Sequence, residues 1–314
     1  MTGFLGFDTS NYTTSVALYV PETGELLQQK RLLPVKAGER GLRQSDAVFH
    51  HTAALPELTE RLFEKKDVAL SGVCASVSPR KQEGSYMPCF LVGAGAGRIT
   101  AATHAVPFFE TSHQHGHIAA ALFGSGRLDL LKECFLAFHV SGGTTEALLV
   151  EPDEGDLFRC SLVASSLDLK AGQAIDRAGV MLGLPFPAGK ALDALSLQST
   201  RTFSPKASMK GENCSLSGIE NQSKAMFSRG EDAADIAKFV LSSVCAALDA
   251  MAKRLLEQYG DLPLLFSGGV SSNSLLRAHM TERFSALFAP PAFSADNAAG
   301  VALIGYYKSL QEKK

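Results

Sequence analysis

The residues best suited to chemistry begin at Ser112-His113-Gln114-His115-Gly116-His117. His113 and His117 stand four apart, so a helix carries both imidazoles on one face, about 6 Å apart at Cβ. That spacing suits chelation of one metal ion, and it equally suits a pair of histidines at an exposed helix end. His115 falls on another face. No H-E-x-x-H is present, so the helical glutamate base of the zincin peptidases is missing, and Glu110 is the nearest acid.

Gly-containing stretches supply the other candidates. Val140-Ser141-Gly142-Gly143-Thr144-Thr145 lets a ligand approach bare backbone and adds hydroxyl donors; taken alone it is also a tight hairpin. Phe266-Ser267-Gly268-Gly269-Val270-Ser271-Ser272-Asn273 closes a strand and opens a helix, and Asn273 suits either an adenine or ribose edge or a helix cap. Asp176, in Gly172–Arg177, and Asp193, in Phe186–Asp193, flank a glycine loop as two acids that can hold ribose hydroxyls. Asp296 precedes the last helix, where an ordinary cap also belongs.

These residues need elements to position them. Gly3–Asp8, Thr13–Val20 and Leu26–Val35 are expected as three antiparallel strands, the last two joined by the Pro21–Gly24 turn. A helix follows over Asp46–Lys66 with Ser45 as its cap, carrying His50 and His51 as half-buried packing residues. Val68–Val77 is a buried strand, Ser78–Cys89 a loop, and Phe90–Ala105 a tightly packed helix. The pattern then restarts: Phe135–Val140 is a strand, and Thr144–Leu149 repeats the place of Thr13–Leu18, at an offset of about 130 residues. Solenoid periods are about 20–50 residues, so this is a duplicated unit. Helices over Ala171–Leu182 and Asp232–Tyr259, a strand over Leu262–Phe266 and a helix from Asn273 complete the set. Two facing hairpins whose turns offer amides to phosphates are the arrangement of an α/β, actin-like ATPase (sugar kinase, Hsp70, actin) fold, with two lobes and a central nucleotide cleft. A plain Rossmann sheet is the alternative, but no G-x-G-x-x-G opens a helix after the first strand. Residues 1–107 are expected as the first lobe, with a C-terminal helix over 296–314 packing back on it, and 108–295 as the second.

Composition is ordinary: 314 residues, 46% hydrophobic, 20% charged, net charge −2. No global positive field announces nucleic acid. Six cysteines without a C-x-x-C suggest neither disulfides nor a thiolate zinc site, and no stretch suits a membrane helix. A cytoplasmic protein is expected.

The order of motifs resembles the TsaD-type glycoprotease family, tRNA threonylcarbamoyl-transfer proteins. Its H-x-x-x-H is matched by His113 and His117, its S-G-G-H-T by Ser141–Thr145, its G-E-A-F-D-K by Gly172–Arg177, and its Y-P-G-G-P-x-x-D by Phe186–Asp193. G-G-V-x-x-N is matched by Gly268–Asn273 and T-D-N-A-A by Ala295–Ala299. The resemblance implies one divalent metal, iron or zinc, on His113, His117 and Asp296. It implies ATP or an acyl-adenylate held by Ser141, Gly142, Gly143, Thr144, Thr145, Asp176, Gly189, Asp193 and Asn273. It further implies acyl transfer to adenosine N6 of tRNA, and a homodimer or a heterodimer with a TsaB/TsaD-type subunit. The opening departs from E-T-S-C-D-E-T: Asp8, Thr9 and Ser10 lead into Asn11, then Tyr12 and Thr13 where the family has acids, leaving Asp8 and Ser10 as the catalytic candidates. Thr144 replaces the family His, and Glu220 the Lys of F-S-G-L-K. This is the profile of a divergent paralog, with a non-catalytic partner subunit and a metallopeptidase as alternatives. Lys36, Arg40, Arg43, Arg80 and Lys81 are the loop cations that could meet tRNA.

Overall fold

The computed structural model describes residues 1–10, 12–34, 42–64, 67–294 and 298–312. Along the chain come β1 (Thr2–Ser10), β2 (Thr13–Val20), β3 (Glu25–Leu32), α1 (Gln44–Phe63), β4 (Ala69–Ser78), α2 (Phe90–His104), β5 (Phe108–Ser112) and α3 (His113–Gly124). Then follow β6 (Phe135–Val140), β7 (Thr145–Asp153), β8 (Leu157–Ser165), α4 (Ala171–Met181), α5 (Gly189–Ser196), β9 (Ser208–Lys210), β10 (Asn213–Ser215), α6 (Ser217–Ser228) and α7 (Ala233–Tyr259). The chain closes with β11 (Leu264–Ser267), α8 (Ser274–Phe284), β12 (Leu287–Phe288), α9 (Pro291–Ser294) and α10 (Ala299–Gln311).

Two compact units result. One comprises Met1–Leu131, Asp153–Phe158 and Ala292–Lys314; the other comprises Lys132–Pro152 and Arg159–Pro291. The first boundary therefore falls at 131, not 107. The reason is local: β5 pairs in parallel with β4, and α3 packs on α10, so residues 108–131 belong with the first unit.

In the first unit a five-stranded sheet runs β3-β2-β1-β4-β5, antiparallel across β3-β2-β1 and parallel across β1-β4-β5. Nearly every residue of β1 and β2 is buried, because helices cover both faces. Leu5, Phe7, Val16 and Leu18 meet Leu55 and Leu58 of α1 on one side. On the other, Ala17 and Tyr19 meet Ala302 and Leu303 of α10. The second unit repeats the plan: its sheet runs β8-β7-β6-β11-β12, with β6-β7 antiparallel and β6-β11-β12 parallel. Its core joins Leu136, Phe138 and Phe266 to α4 and to the long α7.

Most strands match the sequence reading, and several elements do not. β5, β8, α5 and α6 were not expected. α1 starts at Gln44 with no side-chain cap, so Ser45 lies inside the helix; the expected end at Lys66 and the expected strand end at Val35 lie outside the described residues. His51 is fully buried, where half-burial was expected. Among the described residues no helix is long and apolar enough to cross a membrane.

The α3–α10 crossing is a backbone-to-backbone contact. A Cβ on Gly300 would lie 1.8 Å from the Gly116 carbonyl oxygen and 2.7 Å from the Ala120 amide nitrogen. No side chain relaxes such a clash, so the helices must part. Gly300→Ala is therefore expected to destabilise the protein by about 2 kcal/mol or more, at the upper end of overpacking costs. Urea denaturation checks this; a midpoint within error of the parent would refute the crossing.

Candidate functional site

In the second unit the glycine stretches and acids gather around a cavity of about 600 Å³. Its lining includes Gly142, Asp176, Gly189, Asp193 and Asn273, five of the nine residues expected at a nucleotide. The β6–β7 turn is closed by Ser141 N donating to Thr144 O at 2.7 Å and Thr144 N donating to Ser141 Oγ at 3.1 Å. This leaves Gly142 and Gly143 exposed at its tip. α4 rests directly on that turn: Gly172 N donates to Ser141 O, and a Cβ on Gly172 would lie 2.6 Å from the backbone of Gly142. Only glycine permits this approach. Thr145 is buried, and its Oγ1 accepts from Ala171 N at 2.8 Å, so it holds the start of α4.

The acids build walls. Asp176 Oδ1 accepts from Ala188 N at 2.8 Å, fixing the segment before α5. Asp193 lies within α5, which opens at Gly189. Its Oδ1 accepts from Asn273 Nδ2 and Ser274 Oγ, both at 2.8 Å, and its Oδ2 from Ser274 N at 3.0 Å. Asn273 is also the cap of α8, its Oδ1 accepting from Leu276 N at 3.0 Å. The capping role expected as the plainer reading of Asn273 thus coexists with a place on the cavity wall.

In the first unit Ser112 caps α3, so His113 and His117 stand on its first turns. Their Nε2 atoms face each other at 2.9 Å, and His113 Nδ1 bonds Asp8 Oδ2 at 2.7 Å. Asp8 is buried at the end of β1, and its Oδ1 accepts from Ser10 N at 2.8 Å. A carboxylate on Nδ1 keeps the proton there and turns the Nε2 lone pair outward, the arrangement of a metal-bound histidine. Two bonds of about 2.0–2.1 Å span a 2.9 Å separation, so the imidazole pair fits one divalent ion. Asp296 lies outside the described residues, among which no group of three His, Cys, Asp or Glu gathers to hold a metal. His115 turns away: it is buried, stacks on Phe158 and bonds Ser112 Oγ and Phe158 O. Glu110 pairs with Arg98 of α2.

The sequence pattern of the family described as tRNA N6-adenosine threonylcarbamoyltransferase, TsaD, matches residues 34–303. The chain belongs to the TsaD family. Proteins of that name from Enterococcus faecalis and Ligilactobacillus salivarius are each 29% identical to it, covering 97% and 96% of this chain and 90% of their own lengths. Component A of (R)-2-hydroxyglutaryl-CoA dehydratase from Acidaminococcus fermentans is similar in fold, with a TM-score of 0.56 at 17% identity over 99% of this chain and all of that one. HypF from T. kodakarensis reaches 0.60 at 12% identity, over 99% of this chain and 48% of its own. The fold is the actin-like ATPase architecture.

Against the TsaD pattern, the substituted positions fall at both groups of residues. Thr13 is buried, opposite Ser10 in the β1–β2 hairpin, and Tyr12 is partly exposed just before it. Lys190 lines the cavity where Y-P-G-G-P-x-x-D has its second proline. His51, expected as a half-buried packing residue, is fully buried and takes a polar partner as well: its Nδ1 bonds Thr14 Oγ1 at 2.8 Å.

Burial holds the His51 imidazole down at about 4, against a weaker upward pull from the Asp8 carboxylate. Between pH about 6.5 and about 4 the unfolded chain takes up a proton that the native protein excludes at this site. Stability present above that window is therefore lost as pH falls through it. His51→Leu is expected to flatten the fall by up to about 1.4 kcal/mol per pH unit, read from urea midpoints at pH 7, 6 and 5; an identical slope would remove His51 from the account. Asp193→Ala should cost about 1–2 kcal/mol, because Asn273 and the start of α8 lose their acceptor; calorimetry measures it.

Proposed function

We propose that this chain transfers a threonylcarbamoyl group from an adenylate to adenosine N6 of tRNA in the cytoplasm. The observation that carries the reading is the glycine-walled cavity of the second unit, in a chain of the TsaD family. In this reading the Ser141–Thr145 turn meets the donor phosphate through backbone amides that no side chain shields. Asp176 has one carboxylate oxygen beyond its bond to Ala188 N, and that oxygen takes a ribose hydroxyl. Asn273 faces the adenine or ribose edge, held there by Asp193, and Gly189 leaves room beside them.

In the transfer, the N6 nitrogen attacks the acyl carbon. The carbon–nitrogen bond forms as the bond to the phosphate oxygen breaks, AMP leaves, and N6 gives up a proton. One divalent ion, iron or zinc, would be held by His113 and His117, with Asp296 as the third ligand the family resemblance supplies. When bound, that ion supplies Lewis-acid polarisation of an acyl donor. Asp8 acts by fixing the His113 tautomer. Ser10, the other catalytic candidate, has its Oγ buried at the end of β1 without a hydrogen-bond partner among the described residues, so the hydroxyl has bonding capacity left over. Arg43, Arg80 and Lys81 are offered to tRNA, although Lys81 is also paired with Asp156; Lys36 and Arg40 lie outside the described residues.

The substitutions at Tyr12 and Thr13 favour a second reading. Without those acids the chain binds nucleotide but supplies no base for the N6 proton, and serves as the partner subunit of a catalytic relative in a heterodimer or homodimer. A peptidase reading has no such support: Arg98 engages Glu110, the nearest acid in sequence, and the carboxylate that does reach the histidines, Asp8, is engaged by His113 Nδ1 and Ser10 N.

Purified protein incubated with threonylcarbamoyl-adenylate and unmodified tRNA is expected to yield N6-threonylcarbamoyladenosine. Asp176→Asn should lower the yield about tenfold or more through weaker donor binding. A metal-loaded protein that gives no product alone, but does so when mixed with a catalytic family member, decides for the partner reading.

A further inference from the structure

Two carboxylates and a single ammonium line the second unit's cavity: Asp176, Asp193 and Lys190. Both acids already accept hydrogen bonds from the protein, Asp176 from Ala188 N and Asp193 from Asn273 and Ser274. By formal charge, the lining without Lys190 would carry −2 and repel a phosphorylated ligand. Lys190 is exposed on the first turn of α5 and forms no ion pair among the described residues. It is three residues before Asp193 on the same face of the helix. Yet the Asp193 oxygens are directed to α8, so the ammonium is left to the cavity.

The position is where this chain departs from its family pattern. Proline stands at the matching place in Y-P-G-G-P-x-x-D, and proline brings neither charge nor a flexible reach. Lysine brings a compact positive charge on a four-carbon stem that can follow an anion along the rim. We infer that Lys190 is a specificity determinant of this cavity, giving it a preference for phosphorylated adenine nucleotides over the uncharged nucleoside. The inference rests on the reading of the cavity as a nucleotide site and deepens it by naming what discriminates among ligands there. Because the side chain is exposed, the gain is that of a solvent-accessible ion pair, about two- to fivefold in affinity and shrinking as salt is added.

Isothermal titration of the full chain with AMP and with adenosine, at low and at moderate salt, tests this. Wild-type protein is expected to bind AMP more tightly than adenosine, by more at low salt. Lys190→Gln should weaken AMP about two- to fivefold and Lys190→Glu more strongly, while adenosine moves less than twofold. Lys190→Arg should retain the preference. If both ligands bind and their affinity ratio is the same in all variants, or is already unity in the wild type, Lys190 is not the discriminator and the nucleotide site stands. If neither ligand binds the wild type, the nucleotide reading falls and this inference with it.

Discussion

The Asp193 carboxylate joins two helices that sequence separates by about 80 residues. It collects hydrogen bonds from Asn273 Nδ2, Ser274 Oγ and Ser274 N, and so sets where α8 begins relative to α5. Asn273 in turn caps α8 with its own oxygen. Charge-assisted bonds of this kind are stronger than neutral ones, and here three act on one group. The wall opposite uses the same device, with Asp176 gripping Ala188 N and Thr145 gripping Ala171 N. The cavity is therefore a by-product of helix capping. The residues proposed to meet a ligand are largely the residues that tie the helices together, so the walls are set by the fold itself.

The first unit applies the rule to a different chemistry. Asp8 is almost completely buried, which is costly for a carboxylate unless its oxygens are satisfied. The Ser10 amide and the His113 ring satisfy them, and the second contact fixes which imidazole nitrogen carries the proton. The orientation of His113, and hence its approach to His117, follows from where β1 stops. His51 belongs to the same neighbourhood: buried, neutral and bonded to Thr14, it adds a polar group under the hairpin without adding charge.

Strand pairs were legible where alternation and apolar runs are strong, as in Thr13–Val20 and Phe135–Val140, and the repeat linking Thr13–Leu18 to Thr144–Leu149 surfaces as two sheets of one topology. The i, i+4 histidines did share a helix face. The failures have physical causes. Phe108–Ser112 is only five residues long, too short for its period to register beside the histidines that follow. Gly189–Ser196 opens on a glycine after Pro187, signals that suggest a loop, yet packing of Leu192 into the core makes it a helix. Asp193 was expected as one of two acids flanking a glycine loop and free for ribose, whereas tertiary hydrogen bonds to Asn273 and Ser274 give it work within the fold. Ser217–Ser228 is too polar to show a clear stripe, and its start is held by Asp168, 49 residues away, a contact that no local pattern records.

Chain order adds one consequence. The first sheet is covered on one face by α1 and α2, made soon after it, but on the other by α10, whose Ala302 backbone would lie 2.5 Å from a Cβ on Gly6. A ribosome therefore releases these last residues only after the entire second unit has emerged. Until then Ala17 and Tyr19 lack their Ala302 and Leu303 cover, with Phe123 of α3 against Tyr19, a partly open apolar face of the kind holding chaperones protect.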